Sequence, residues 1–329
     1  LHSAGSAIVV SLVGLLIALL LNAPGLHKSA TIQPEGWKRD TALAVTGPLE
    51  SVSGGLLLDR PRRALKAVLG RSDDDEIDTA VVVASAPKEP VVDGTPAAPP
   101  KRERFSPKRK LRLWIAGDSL VVVPGESLLR EAAGNPAITS VGKIDGRIAS
   151  GLERPDVFNW FTHVREEMRS KKPDAVVVML GGNDDHGFMT GLREGKEVGS
   201  FGSPSWQAEY RRRVAGIMDT ITRKGAFLVW IGLPISRDTT QTQRYDTINA
   251  IVQREAAKRP GRAAYLDTYF FFAGADGGFS EYIADDTGKL VKMRADDGVH
   301  FERAAGDLIA KKVLEHLGER YDLTSWRKS

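Results

Sequence analysis

Three short, almost wholly apolar runs recur along the second two-thirds of the chain: "LRLWIA" from Leu111, "AVVVML" from Ala175 and "AFLVWIG" from Ala226. Their length and β-branched content predict strands buried on both faces, which is the pattern of a parallel sheet. "AITSV" at 137–141 and "AAYLD" at 263–267 are weaker strand candidates. Between them lie amphipathic stretches at 155–172, 203–225, 242–259 and 304–320. Ser203-Pro204 has the chemistry of a helix start, and Gly225 and Gly261 follow basic residues as helix stops do. Strands alternating with helices predict right-handed βαβ units and a three-layer α/β/α sandwich around a parallel, roughly five-stranded sheet. This domain is expected to span residues 110–329.

The first part of the chain reads differently. From Ala4 to Pro24 no charge interrupts "AGSAIVVSLVGLLIALLLNAP", a length that matches the roughly 20 residues a helix needs to cross a bilayer. Residues 1–25 are therefore expected to be a transmembrane anchor or uncleaved signal. Lys28, Lys38 and Arg39 follow it, which by the positive-inside rule alone would leave the remainder in the cytoplasm. With a basic leader expected ahead of Leu1, the domain is instead expected outside the cytoplasm, anchored to the cytoplasmic membrane. Residues 26–80 carry loosely helical apolar spacing broken by Gly and Pro, which predicts one or two short membrane-proximal helices. The Pro-rich stretch at 81–109 cannot bury a core and is expected to be a semi-extended linker. Its basic end, from Lys101 to Arg112, is either solvated or in contact with an anionic lipid or polymer.

Composition narrows the function classes. Apolar residues make up 42% of 329 and aromatics 7%, enough for a sizeable core. The 46 basic and 42 acidic residues are interspersed, and a net charge of +4 leaves no nucleic-acid footprint. With no cysteine among these residues, thiol nucleophiles, disulfides and Cys-ligated metals are excluded. No cofactor is expected.

In open parallel sheets, function gathers at the carboxyl ends of the strands. Three segments placed there carry unusual polar groups: Gly117-Asp118-Ser119, "LGGNDDHG" at 180–187, and "RADDGVHFE" at 294–302. A serine hydroxyl needs a base to take its proton, and the base needs a third group to orient it. Asp297 and His300, three apart, can supply both from one turn, leaving the other ring nitrogen for Ser119. The Asn183 amide and glycine N–H groups suit the negative charge that develops on an ester carbonyl. Asp184, Asp185 and His186 are a conceivable metal cluster, but consecutive residues rarely converge on one ion, so no metal is expected. Asp296 lies beside Asp297 and is read as solvated. His163 is read as a packed or surface histidine, and Trp160, Trp206 and Trp230 as core. In the long run from Thr268 to Met293, Tyr269 to Phe272 and Tyr282 either shape a substrate pocket or are buried in the core.

"GDS", a glycine in "RIASGL", "GGND" and "DGVH" resemble, in order and spacing, the four blocks of the SGNH (GDSL-like) hydrolase superfamily. Gly151 and Asn183 follow Ser119 by 32 and 64 residues. The resemblance implies an SGNH, flavodoxin-like fold, with Ser119 as nucleophile and backbone oxyanion donor, Asn183 as side-chain donor, Asp297 as orienter and His300 as base. Gly151 matches the second-block oxyanion glycine, with Gly146 and Gly142 as competitors. "GRIASGLERPDVFNW", "GGNDDHG", "WIGLP" and "RADDGVHF" further resemble the bacterial DUF459 proteins over about residues 111–318, with a fainter likeness over 37–70.

The resemblance implies a serine esterase acting through a Ser119 acyl-enzyme on small, foremost acetyl, esters of an envelope polysaccharide or of another ester-bearing molecule. The alternatives are an O-acyltransferase with a sugar acceptor, a catalytically inactive envelope binding or assembly module, and a long-chain lipase.

Overall fold

The computed structural model describes residues 4–31, 37–56, 58, 60, 102–184, 189–192, 198–285 and 287–328. Six strands form one sheet: β2 (Leu111–Gly117), β3 (Ile138–Ser140), β4 (Asp145–Gly146), β5 (Ala175–Met179), β6 (Phe227–Ile231) and β7 (Ala263–Leu266). Every pairing is parallel, in the order β3-β2-β5-β6-β7, with β3 on the start of β2 and the two-residue β4 on its end. The five expected strands are all present, and β4 is the addition. Strands β5 and β6 are buried at every position, which is why they read as unbroken apolar runs.

Counting the five long strands in chain order gives 2-1-3-4-5, so the order reverses between β2 and β5. That switch point is where a doubly wound sheet opens a crevice.

Helices cover both faces. The four expected ones are α5 (Trp160–Ser170), α6 (Pro204–Thr222), α7 (Thr239–Ala257) and α8 (Arg303–Arg320). Ser203 caps α6 with its hydroxyl on Trp206 N, Asp238 caps α7 and Asn159 caps α5. One helix is absent from the sequence reading, α4 (Val122–Ala133), which packs against α8. Pro124 and Gly125 argue against a helix, yet Pro124 is its third residue, where the N–H has no intrahelical partner to lose. A single 3-10 turn, Ser119–Val121, leads directly into it. The side chains of Trp114, Trp160, Trp206 and Trp230 are all buried.

The expected membrane-spanning helix is not found: among the described residues no helix is long and apolar enough to cross a membrane. The uncharged stretch is divided in two. Helix α1 (Ala4–Leu21) ends after 18 residues, about 27 Å of rise against about 30 Å of hydrocarbon. Helix α2 (Ala23–Thr31) then begins. Helix α3 (Trp37–Gly55) runs through Gly47 and Pro48 as one 19-residue element rather than stopping there. Residues 61–101, which include most of the expected linker, lie outside the described residues.

The linker boundary at 109 also moves. Strand β1 (Glu103–Arg104) pairs with β10 (Tyr321–Asp322), and Phe105 is buried with its ring edge-on to Tyr321 at 5.3 Å. The basic segment therefore closes the domain's two ends against each other. Phe105→Ala in the full chain is expected to cost about 3 kcal/mol in urea unfolding. A change below about 1 kcal/mol would put β1 outside the cooperative unit.

Candidate active site

Strand β2 ends with Gly117 because nothing larger fits: a Cβ there would lie 2.0 Å from the Met179 carbonyl oxygen at the end of β5. Asp118 N donates to that same oxygen at 3.0 Å. The chain then turns into the 3-10 turn, so Ser119 stands at the switch point. It occupies the amino end of a nearly continuous helical run to Ala133, where N–H groups and the helix dipole favour negative charge.

His300 reaches it from a turn between β9 (Leu290–Lys292) and α8. Its Nε2 lies 2.9 Å from Ser119 Oγ, and its Nδ1 lies 2.7 Å from Asp297 Oδ2. The other carboxylate oxygen, Oδ1, accepts from Val299 N at 2.8 Å and His300 N at 2.9 Å. Partial burial works against ionisation of Asp297. The hydrogen bonds from the His300 N–H, the His300 ring and the Val299 N–H outweigh it and hold the carboxyl at about 2. An ionised carboxylate only accepts, so Nδ1 carries the proton and the Nε2 lone pair faces the serine hydroxyl. The His300 and Asp297 side chains are 42% and 50% exposed, which leaves the pair open to a ligand.

Asp296, by contrast, points to solvent with Lys292 as its partner. The structure thus separates the two adjacent carboxylates that the sequence distinguishes only by spacing.

Asn183 follows β5 in a loop that the Asp118 carboxylate holds against β2. Asp118 Oδ2 accepts from Gly181 N at 3.0 Å and Gly182 N at 2.9 Å, and Asp118 Oδ1 accepts from Leu120 N at 2.9 Å. Complete burial pushes Asp118 up to about 7, against the pull of those N–H groups. Asn183 Nδ2 donates to the Ser150 carbonyl at 3.0 Å, which brings the amide beside Gly151. Of the three candidate glycines, Gly151 is the one beside Asn183. Gly146 pairs with Gly117 inside the sheet, and Gly142 lies against Lys171.

Gly151 also has a packing requirement, since a Cβ would lie 2.0 Å from Asp184 Oδ1. Asp184 is buried and engaged by Leu152 N, Glu153 N and Tyr210 OH, each at 2.8 Å. Such an arrangement binds backbone amides rather than a metal. Asp185 and His186 lie outside the described residues.

Asp145, His163 and Glu167 are the one set that could converge on an ion among the described residues. Arg147 and His163 already take both oxygens of Asp145, however, and Lys171 pairs with Glu167. The His163 ring packs edge-on against Trp114, Phe158 and Trp160, as a structural histidine does.

Two buried arginines were invisible in the sequence. Arg294 has no exposed surface and directs its guanidinium to the carbonyls of Ile235, Gly298, Val299 and His300. The rings of Phe272, Phe279 and Phe301 stand 5.2 to 5.5 Å from its Cζ. Burial draws its pKa down to about 10. The long run from Thr268 accordingly supplies core as well as surface. Phe272 is buried beneath Arg294, Phe270 is 75% exposed, and Tyr282 starts a β8 (Tyr282–Ala284) and β9 hairpin. Arg237 and Lys292 tie that hairpin, through Glu281, to the turn that carries Asp297 and His300.

Arg213 in α6 similarly donates to the carbonyls of Leu152, Glu153 and Thr190 and is itself held by Glu209. The Ile235 carbonyl lies 59 positions from Arg294, and the carbonyls of Leu152, Glu153 and Thr190 lie 23 to 61 positions from Arg213, so no local pattern marks either arginine as buried. A lone Arg opening "RADDGVHF" is the only hint.

Comparison with known proteins adds the following. The family model described as "Protein of unknown function (DUF459)" matches residues 112–316. No curated protein matches the sequence. Among solved structures, a catalytic mutant of an acetylxylan esterase from Geobacillus stearothermophilus is 16% identical, covering 63% of this chain and 94% of its own, with a TM-score of 0.43. TesA is 18% identical, covering 63% and 97%, with a TM-score of 0.41. A GDSL-like lipase from Bacteroides thetaiotaomicron is 13% identical, covering 67% and 91%, with a TM-score of 0.40.

The Glu209 anchor makes a pH prediction. Burial opposes its charge, but Arg212 and Arg213 hold the carboxyl down at about 2, from 4.5. A depressed acid contributes stability above its unfolded pKa and loses it as pH falls towards the folded value. Between pH 6 and pH 3 the protein is expected to lose about 2 kcal/mol that Glu209→Gln does not lose. An equal loss of unfolding free energy in the two proteins between these pH values, measured by urea unfolding, would contradict the assignment.

Proposed function

The chain belongs to the DUF459 family, and for this member we propose a serine-dependent ester hydrolase. The observation that carries the reading is the relay from Asp297 through His300 to Ser119 Oγ, with contacts of 2.7 and 2.9 Å, on a residue at the sheet's switch point.

In this reading Ser119 Oγ attacks the ester carbonyl carbon while His300 Nε2 takes the hydroxyl proton. The carbonyl oxygen becomes an oxyanion, for which the Ser119 N–H, the Gly151 N–H and the Asn183 amide are the donors. Asp297, ionised throughout, stabilises the imidazolium and keeps its orientation. Collapse of the tetrahedral adduct breaks the ester C–O bond, and the departing alcohol takes its proton from His300. The acyl group is left on Ser119. Water, deprotonated by the same histidine, then attacks the acyl-enzyme and regenerates the serine.

As substrates we assign small acyl esters, foremost acetyl groups on envelope glycans, and as setting the extracytoplasmic envelope. The motif resemblance supports that assignment. A sugar hydroxyl in place of water would give O-acyl transfer by the same steps.

On p-nitrophenyl acetate, Ser119→Ala is expected to lose at least about 10⁴ in kcat, keeping only the residual rate that the oxyanion donors and binding supply, and Asp297→Asn to lose about 10²–10⁴ in kcat. Retention of more than a tenth of the rate by Ser119→Ala would overturn the nucleophile assignment. Across p-nitrophenyl esters from acetate to octanoate, kcat/KM is expected to fall at least about tenfold. A preference for octanoate would replace the small-acyl assignment with a lipase.

A further inference from the structure

Two buried carboxylates link the three donor residues into one chain of contacts. Asp118 precedes Ser119 and binds the amides of Gly181 and Gly182, just before Asn183. Asp184 follows Asn183 and binds the amides of Leu152 and Glu153, just after Gly151. Each donor is thus one or two residues from a carboxylate clamp. Both carboxylates are fully shielded from solvent, so a lost N–H partner cannot be replaced by bulk water.

We infer that Asp184 is a positioning residue of the esterase reaction, setting the Gly151 backbone and the Asn183 amide at one fixed separation. The inference rests on the ester-hydrolase reading. Its two oxygens accept from two consecutive amides, Oδ2 from Leu152 N and Oδ1 from Glu153 N, both at 2.8 Å. An acceptor on each side of the carboxyl carbon is what only a carboxylate supplies, because an amide presents a donor on one side. Oδ1 also lies where a Cβ on Gly151 would be, 2.0 Å from its ideal position. The glycine and the carboxylate therefore require each other.

From the opposite side, Asn183 Nδ2 grips the Ser150 carbonyl at 3.0 Å, and Ser150 Oγ is fixed by Trp160 Nε1 at 2.9 Å and donates to Arg147 O at 2.6 Å. The loop at 147–153 is thereby held by Asn183 at its middle and by its neighbour Asp184 at its end. Oxyanion donors work because they are already in place when charge develops, and a displacement of about 1 Å can cost about 10²-fold. The loss falls on kcat, because the neutral ester carbonyl uses these donors much less than the oxyanion does.

The test is Asp184→Asn in the full chain, assayed on p-nitrophenyl acetate, with kcat divided by the concentration of sites titrated by a fluorophosphonate. The expected result is complete titration of the serine, kcat per site lower by about 10²-fold, and KM within about threefold. Tyr210→Phe removes the third partner of Asp184 and leaves both amide contacts. It is expected to stay within about threefold of the unsubstituted kcat per site, whatever it costs in thermal stability. A purely structural Asp184 would lower stability in both variants and leave kcat per titrated site unchanged in Asp184→Asn, and that result overturns the inference.

If Asp184→Asn does not fold, Gly151→Ala probes the same contact by pushing a methyl against Oδ1. An unchanged kcat per site there overturns the inference equally. Absence of titration in the unsubstituted protein would overturn the ester-hydrolase reading itself and the inference with it. Normal titration with an unaffected Asp184→Asn overturns the inference alone.

Discussion

Backbone amides in the crevice must find acceptors that are not water, and the structure meets that constraint with carboxylates buried directly under the site. Asp118 and Asp184 each gather amides from a loop other than their own. The loops after β2, β4 and β5 are thereby fastened in series. Burying a carboxylate is costly unless its lone pairs are filled, so the loops cannot separate without exposing that cost. A site assembled from residues 119, 151 and 183 becomes rigid through contacts that never touch a substrate.

His300 is held by the opposite chemistry. Arg294, a buried cation without a carboxylate within ion-pair distance among the described contacts, gathers carbonyls from the turn that carries His300. It also collects the Ile235 carbonyl after β6, and aromatic rings complete its surroundings. Buried carboxyl groups fix the Gly151 and Asn183 side of the crevice through N–H groups, and a cation fixes the His300 side through C=O groups. Between them Ser119 is left as the polar group facing outward, with a histidine whose tautomer is set by an ionised Asp297.

How much of this is legible in the sequence follows from how local each signal is. Strands β5 and β6 are legible because burial on both faces leaves only apolar residues in them, and Ser119, Asn183, Asp297 and His300 stand out as polar residues at strand ends or at a three-residue spacing. Helix α4 was missed because Pro124 and Gly125 obscure a helix whose first turn tolerates both. The hairpin of β8 and β9 hides within a polar stretch, and the transmembrane expectation failed where the uncharged run breaks into α1 and α2. The structural roles of Asp118, Asp184, Arg213 and Arg294 leave no pattern in any sequence window. Their importance comes from amides and carbonyls brought close only by the fold, for example Arg294 and Ile235, 59 positions apart.

The central claim is that Ser119 is a nucleophile activated by His300. It is tested most directly by exposing the full chain to a small fluorophosphonate and mapping the adduct by peptide mass spectrometry, with and without His300→Ala. One adduct on the peptide containing Ser119, formed at least about 10²-fold more slowly without the imidazole, is the expected result. A folded protein that takes up no reagent, or takes it up elsewhere, would contradict the claim.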